Sequence, residues 1–360
     1  MEEFDYLIIG AGPTGSFLAE KLANKGFKVG LFDKKKIIGK PVQCTGLLTN
    51  EITKFVDINN DFLINETFKL KINSKNESAT INSHEYVVDR FKFDNYLLKK
   101  AKEAKAKIFL NNEFKGFKKN KLIFSKKSFK SKKIIGCDGP NSAVNKEFKI
   151  NKNLNFFLGK QFVIKSKFFE KNSYETYFEE EFNDFFAWKV PISKKIVRIG
   201  VASTNMKSVN DKLDFLIKSK KIKGKIIEIN AGLIPIFNPF NSNYKKINNL
   251  SVYLLGDAGG IVKATTGGGI IPSFKSINDS LNSIIKNKPI NLLKTKAELI
   301  THLLIHNKIS KFNDKKYDEL IKELKKNEIK KIISSINRDN ALKLGFKTIS
   351  KNPNLIRFIF

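Results

Sequence analysis

Residues 5–34 read DYLIIGAGPTGSFLAEKLANKGFKVGLFDK, and no other stretch narrows the fold as far. Tyr6 to Ile9 is a short apolar run. Gly10, Gly12 and Gly15 follow as GxGxxG, with Pro13 and Thr14 opening the next segment. Phe17, Leu18 and Leu22 then recur at helical spacing, Gly26 stops the helix, and residues 28–32 form a second apolar run ending at Asp33. Each glycine has a mechanical reason: the first permits a tight turn, the second lets the backbone approach a pyrophosphate, and the third lets helix pack on strand. The helix N-terminus presents free N–H groups and a positive dipole to phosphate. Asp33 stands where an acid accepts hydrogen bonds from a ribose. Strand, glycine turn, helix, strand and acid in register predict a dinucleotide-binding βαβ unit with an unphosphorylated ribose, as in FAD or NAD.

Three later segments read as parts of the same domain. Residues 87–114 give an entering turn, a helix with Phe93, Leu97 and Leu98 as its apolar stripe, and a strand; Arg90 opens that helix and suits a phosphate. Residues 132–146 give a strand, the turn Asp138-Gly139 and a short helix. Residues 250–270 run from a buried strand into Gly256-Asp257 and a glycine-rich loop. An acid at the C-terminal end of such a strand sits where doubly wound sheets bind ligands, so Asp257 can hold a ribityl hydroxyl. Gly267, Gly268 and Gly269 allow backbone to come close to a flat ring, with Ile270 next in line. The segment KPVQCTGLL, residues 40–48, carries one of only two cysteines. Packing, a disulfide, a metal ligand or a part in the chemistry are all readings of Cys44 taken alone. Cys44 and Cys137 lack metal-site spacing, and His84, His302 and His306 cluster with neither, so no metal site and no disulfide framework are expected.

In combination, GxGxxG with its acid, VDRFKFD, GCDGPNS and GDAGG resemble the glutathione-reductase-type flavoproteins of the p-hydroxybenzoate-hydroxylase branch. Within that branch PVQCTGLL, AGLIPI (residues 231–236) and GDAGGIVKATTGGGI resemble the geranylgeranyl reductase family, over roughly residues 5–275. The resemblance implies FAD contacts at Thr14, Asp33, Cys44, Thr45, Arg90, Asp257, Gly269 and Ile270, with a backbone contact near the adenine at Phe114. The GxGxxG residues Gly10, Gly12, Pro13 and Gly15, and Gly267 and Gly268, complete the expected cofactor set. It further implies reduction of isolated double bonds in geranylgeranyl chains of archaeal-type membrane lipid precursors, by hydride from reduced flavin. Cys44, as a proton donor, and Trp188 are the expected catalytic positions, ordered water being the other proton source. The external electron donor is ferredoxin, a deazaflavin or NAD(P)H, since a second GxGxxG is absent. Two departures stand out. Cys137 replaces an alanine common in the family and is expected to pack as a small apolar residue. The family's P-x-x-Y-x-W-x-F-P signature is NDFFAWKVP here, residues 183–191, keeping Trp188 and Pro191 but not the tyrosine. An FAD-dependent monooxygenase acting on an aromatic or polyene shares the scaffold and is the competing reading.

The expected fold is α/β: a Rossmann-like FAD-binding domain over 1–62, 86–149 and 247–290, an inserted antiparallel β-sheet substrate domain over 63–85 and 150–246, and a C-terminal helical region over 291–360. YETYFEEEF, FFAWKVP and KIVRIGVAS read as antiparallel strands of the insertion. Phe178, Phe182, Phe185, Phe186 and Trp188 make that region aromatic, either as sheet core or as the wall of a polyprenyl tunnel. The last part carries Leu320, Ile321, Leu324, Ile329, Ile332 and Ile333 on one helical side. The formal net charge of +32 raises a nucleic-acid reading. The 63 lysines against four arginines argue against it, because nucleic-acid readers favour the arginine fork. Solvated lysines explain most of the charge, and an anionic membrane surface is the functional partner it would suit. The N-terminus lacks the pattern of a secretory leader and no apolar run reaches about 18 residues, so a cytoplasmic protein with reduced thiols is expected, peripheral to the inner membrane face at most.

Overall fold

A computed structural model describes residues 1–152 and 154–358. The chain divides into two compact units: Met1–Lys40, Arg90–Asn155 and Pro235–Leu299 form the first, and Pro41–Asp89, Phe156–Ile234 and Ile300–Phe360 the second.

The first unit is built on a six-stranded sheet in the order Tyr244–Ile247, Leu250–Leu254, Lys133–Gly136, Tyr6–Ile9, Val29–Phe32, Lys107–Phe109. From Leu250–Leu254 onward every pairing is parallel, and only Tyr244–Ile247 joins antiparallel at one edge. The Tyr6–Ile9, Val29–Phe32 and Leu250–Leu254 strands are buried at every position, as strands covered on both faces must be. Helix Pro13–Ala23 follows the first strand and Arg90–Glu103 packs beside it. A three-stranded sheet, Phe114–Lys118, Lys121–Phe124 and Ser128–Phe129, closes one side. There Phe32 stacks on Phe109 with centroids 4.5 Å apart and meets Phe124 and Phe129. Phe17 stacks on Phe274 of helix Ile270–Ile285 at 4.2 Å. Pro272 is the third residue of that helix, still among the positions whose amides have no intrahelical acceptor.

The second unit contains an eight-stranded sheet in the order Lys225–Pro235, Phe156–Lys165, Ile196–Ser203, Ala187–Pro191, Ser173–Tyr177, Leu63–Asn73, Ser78–Val88, Leu47–Thr49. The expected antiparallel reading holds for Ser173–Tyr177 with Ala187–Pro191 and for Ala187–Pro191 with Ile196–Ser203. One pairing departs from it: Ser173–Tyr177 runs parallel to Leu63–Asn73. That seam joins two segments of chain separated by a passage through the first unit, so no hairpin dictates its direction. Helix Val209–Ser219 covers Ile199 and Val201 with Val209, Leu213 and Leu216.

The units do not divide where the sequence suggested. Residues 41–62 belong with the inserted sheet rather than the nucleotide fold, because Leu47–Thr49 pairs with the Ser78–Val88 strand. Residues 300–358 are likewise part of the second unit. Helices Asp314–Leu324, Asn327–Ser335 and Ala341–Lys351 enclose Phe312, Tyr317, Ile329, Leu355 and Phe358. They are tied to the sheet by Arg338, whose guanidinium donates to Glu85 and to the Tyr174 hydroxyl, and by Thr49 donating to Asp339. Among the described residues no helix is long and apolar enough to cross a membrane.

Candidate functional site

In the first unit the glycine turn is fixed by contacts no other residue would permit. Gly10 has φ +103°, and a Cβ there would stand 2.2 Å from the Cys137 carbonyl oxygen. A Cβ on Gly15 would fall 1.9 Å from the Gly10 carbonyl oxygen. Gly12 differs: nothing lies within 4 Å of where its Cβ would point. That open volume sits at the N-cap of Pro13–Ala23, whose first amides have no intrahelical acceptor. Asp33 closes the turn. Its two carboxylate oxygens accept the Ala11 and Lys35 amides, each at 2.8 Å, which leaves further lone pairs for ribose hydroxyls.

The remaining expected positions of this unit lie at the ends of the same sheet. The Leu250–Leu254 strand runs into a single turn, Gly256–Gly259, carrying Asp257. Burial pushes the Asp257 carboxyl up to about 6, against a smaller opposing pull from Arg90. A Cβ on Gly269 would stand 2.7 Å from Asp257 Oδ1, and one on Gly256 would meet Thr14 Oγ1 at 2.6 Å. Thr14, Asp257 and Gly269 therefore converge. Gly267 has φ +65° and donates to the Lys263 carbonyl at 2.8 Å, folding the loop back before Ile270 begins its helix. Arg90 spends two donors on Asp94, at 3.0 and 3.2 Å, a part-buried pair one helical turn apart. Phe114 is buried against Phe124 and Phe148. Cys137 is buried too, its thiol pushed well up by burial, in keeping with a packing role. Asp138 accepts the Ala143 and Val144 amides through Oδ2, while its Oδ1 is buried with no partner among the described residues.

These features fit FAD. The open cradle at Gly12 takes a pyrophosphate against a helix N-terminus, Asp33 is oriented for a ribose, and Asp257 lies beside a glycine run that a ring can approach.

In the second unit the KPVQCTGLL segment is bound to the sheet by a polar network. Thr45 Oγ1 donates to Gln161 Oε1 at 2.8 Å, and the Trp188 indole N–H reaches the same oxygen at 3.3 Å. Gln161 Nε2 donates to the Cys44 carbonyl at 3.4 Å and to Asn230 Oδ1 at 3.2 Å. Arg198, buried, donates to the Thr45 and Val88 carbonyls. Gly46 has φ +73° and its amide reaches Cys44 Sγ at 3.4 Å. The indole of Trp188 lies across Gly200, its cross-strand neighbour, where a Cβ would come within 2.4 Å of the ring. Phe185 and Phe186 stack on one another at 4.5 Å and both meet Trp188 edge-on. His306 stands edge-on to Phe157 at 5.3 Å, with burial lowering its pKa.

Sequence reading singled out Cys44, Thr45 and Trp188 but missed Gln161, Arg198, Asn230 and Gly200, which hold them. Arg198 did carry a signal, since it interrupts an apolar strand and is one of four arginines. Both cysteines are unpaired. Among the described residues no group of three or more His, Cys, Asp or Glu side chains could hold a metal ion.

Residues 8–43 match a family described as an NAD(P)-binding Rossmann-like domain. Over 99% of its length the chain is 25% identical to the digeranylgeranylglycerophospholipid reductase of Methanococcus vannielii, covering 97% of that protein. Among solved structures, a geranylgeranyl bacteriochlorophyll reductase-like protein from Thermoplasma acidophilum superposes with a TM-score of 0.82 at 21% identity, with both chains covered in full. A halogenase solved in complex with FAD superposes with a TM-score of 0.69 at 14% identity, over 99% of this chain and 85% of the other. The fold expected from the motifs is thus the fold these neighbours share.

Proposed function

We propose that this chain, a homologue of the digeranylgeranylglycerophospholipid reductases, is an FAD-dependent oxidoreductase that saturates C=C bonds of geranylgeranyl chains in membrane lipid precursors. One observation carries the reading. The two segments whose resemblance separates the reductases from the hydroxylases, PVQCTGLL and AWKVP, meet on a single side chain, because Thr45 and Trp188 donate to the same Gln161 oxygen. That shared partner supports reading the two segments as one site.

In this reading Gly10, Gly12, Pro13, Thr14 and Gly15 cradle the pyrophosphate. Asp33 would accept from the adenosine ribose, Asp257 would accept from a ribityl hydroxyl, and Gly267, Gly268, Gly269 and Ile270 would line the ring. Arg90 keeps the phosphate-facing role the resemblance implies, with Asp94 setting its orientation, and Phe114 keeps its place near the adenine. The chemistry that bound, reduced FAD would supply is hydride for one alkene carbon, the other carbon taking a proton. Phe185, Phe186 and Trp188 give the prenyl chain an apolar, water-poor wall and orient the double bond. Cys44 is the proton source, its thiol losing a proton to the alkene and regaining one from water, and Arg198 and Gln161 hold its loop still. An unactivated alkene presents no carbonyl to polarise, so no oxyanion hole is required. The electron donor is a ferredoxin, a deazaflavin or NAD(P)H, and the enzyme works at an anionic membrane surface on the cytoplasmic side.

The test is anaerobic. The flavin is reduced and geranylgeranyl lipid is added. Reoxidation with a mass gain of two hydrogens per double bond is expected. Reoxidation that requires oxygen, with a product gaining an oxygen atom, would establish the monooxygenase reading instead. Cys44→Ser should slow turnover or change the degree of saturation while FAD stays bound. A Cys44→Ala variant that turns over lipid like the parent removes Cys44 as the proton source.

A further inference from the structure

Residues 341–358 contain Lys343, Lys347, Lys351 and Arg357 and not one Asp or Glu. They form helix Ala341–Lys351 and the turn Pro353–Phe358. One side of this segment is anchored: Ala341, Thr348, Leu355 and Phe358 are buried, and Ile349 packs on the core built by Phe312, Tyr317 and Ile329. The other side is apolar and exposed. Phe346 is 77% exposed, Ile356 49% and Leu342 46%. Leu342 and Phe346 are one helical turn apart, and Lys343, Lys347 and Lys351 form the adjoining stripe at the same spacing. None of these three lysines is in an ion pair among the described residues.

A phenylalanine left in water beside unpaired lysines is poor design for a free surface and suits a boundary that is apolar within and anionic at its rim. We propose that the outward face of helix Ala341–Lys351 and the following turn docks on an anionic bilayer, with Phe346, Leu342 and Ile356 entering the acyl boundary and Lys343, Lys347, Lys351 and Arg357 meeting lipid phosphates. Charge selects this occupant. A second copy of the chain would bring another +32 against the same lysines. A nucleic acid would meet the cations but offer nothing apolar to the exposed Phe346 and Ile356. The face gives a location to the membrane contact named under the proposed function. It rests on that reading only for the identity of the lipid the enzyme meets there.

The experiment uses the full chain and sedimentable vesicles of phosphatidylcholine alone, or with one third phosphatidylglycerol. Binding to the anionic vesicles alone is expected, weakening as salt rises from about 0.1 M to about 1 M and the screening length falls from about 10 Å to about 3 Å. Each cation near the surface contributes about fivefold in partitioning, so Lys343→Gln/Lys347→Gln should lose about 25-fold. Phe346→Ser should lose about tenfold through its buried ring. Phe240→Ser removes a ring that is 94% exposed in the first unit and should bind like the parent. Equal binding to both vesicle types overturns the proposal, as does parental binding by the Phe346 and lysine variants, or a loss shared equally by Phe240→Ser. Sedimentation showing a parent dimer that Phe346→Ser converts to monomer assigns the face to a second copy and overturns it too. With lipid dispersed in detergent, Phe346→Ser should turn over like the parent; a slower rate there would place Phe346 in the substrate site and overturn the docking role. Vesicle binding without any lipid reduction leaves this inference standing and defeats the reductase reading.

Discussion

Gln161→Leu is the sharpest test of the second-unit site. The Gln161 side chain is buried and its amide makes hydrogen bonds of 2.8 Å from Thr45, 3.3 Å from Trp188, 3.2 Å to Asn230 and 3.4 Å to the Cys44 carbonyl. Leucine fills much the same volume and meets none of them. Thr45 is partly exposed and can turn to water, but the Asn230 oxygen is buried and the Trp188 N–H is only part-exposed. Stranding those two groups costs about 1–2 kcal/mol each, offset by less than about 1 kcal/mol from the added apolar surface. The expected loss of stability is therefore about 2–3 kcal/mol, read from urea unfolding of the second unit's transition. A cycle with Thr45→Val isolates the shortest bond and should return a coupling of about 0.5–1.5 kcal/mol. Flavin content should stay parental while anaerobic reoxidation by lipid falls about 10- to 100-fold, because the Cys44 loop loses its position. A stability change below about 0.5 kcal/mol with an additive cycle would mean that Gln161 is not the hinge of this network. The reading that joins PVQCTGLL to AWKVP would then fail.

Other consequences separate cofactor binding from folding. Gly12→Val places a side chain in open space, so the apoprotein should unfold within about 0.5 kcal/mol of the parent while purified protein loses its yellow colour. Gly15→Ala puts a Cβ 1.9 Å from backbone and should cost more than about 3 kcal/mol of stability whether or not FAD is present. Asp257 is raised in the folded apoprotein to about 6, above its unfolded value, so folding takes up a proton and this group's contribution declines as pH rises from about 4 to about 6. Asp257→Asn apoprotein should accordingly match the parent near pH 4 and exceed it by roughly 2–3 kcal/mol above pH 7, yet bind FAD less tightly; equal unfolding curves at both pH values would contradict the buried carboxylate. Arg338→Met leaves Glu85 buried without its counter-charge and should destabilise the second unit by about 3–5 kcal/mol, whereas Arg338→Met/Glu85→Leu should recover most of that loss.

What could be read in the sequence and what could not divide along sequence distance. The Gly10–Gly15 turn was legible because its constraints are steric and local. At Gly10 and Gly15 a Cβ would clash with backbone, so the residue type itself records the geometry there, while Gly12 keeps open space at the helix N-cap. Asp33 was legible for the same reason, since its partner amides at Ala11 and Lys35 belong to the unit that names it. Gln161 had no such mark. Its partners lie at residues 44, 45, 188 and 230, on three other segments, and its meaning depends on a strand order that nothing in the local pattern announces. The early domain boundary failed on the same ground: residues 41–62 follow the nucleotide unit in sequence, but Leu47–Thr49 finds its hydrogen-bonding partner in Ser78–Val88. The C-terminal helices show the intermediate case. Their apolar side was visible as periodicity, but periodicity cannot say which sheet receives it. That is settled by long-range contacts, among them Arg338 reaching Glu85 across 253 residues of sequence, Thr49 donating to Asp339 and Ser74 donating to Asp318. A part-buried arginine in a chain with 63 lysines is the residue type that such a contact demands, because its planar fork serves the carboxylate and the Tyr174 hydroxyl together. Two of the four arginines, Arg198 and Arg338, hold part-buried polar contacts across 153 and 253 residues of sequence inside the second unit, whereas Arg90 meets Asp94 within its own helix. In a lysine-saturated sequence the lysine pairs that join distant segments, such as Lys75 with Asp314 and Lys325 with Glu77, lie at exposed positions, and it is the rare cation that marks such meetings in the part-buried interior.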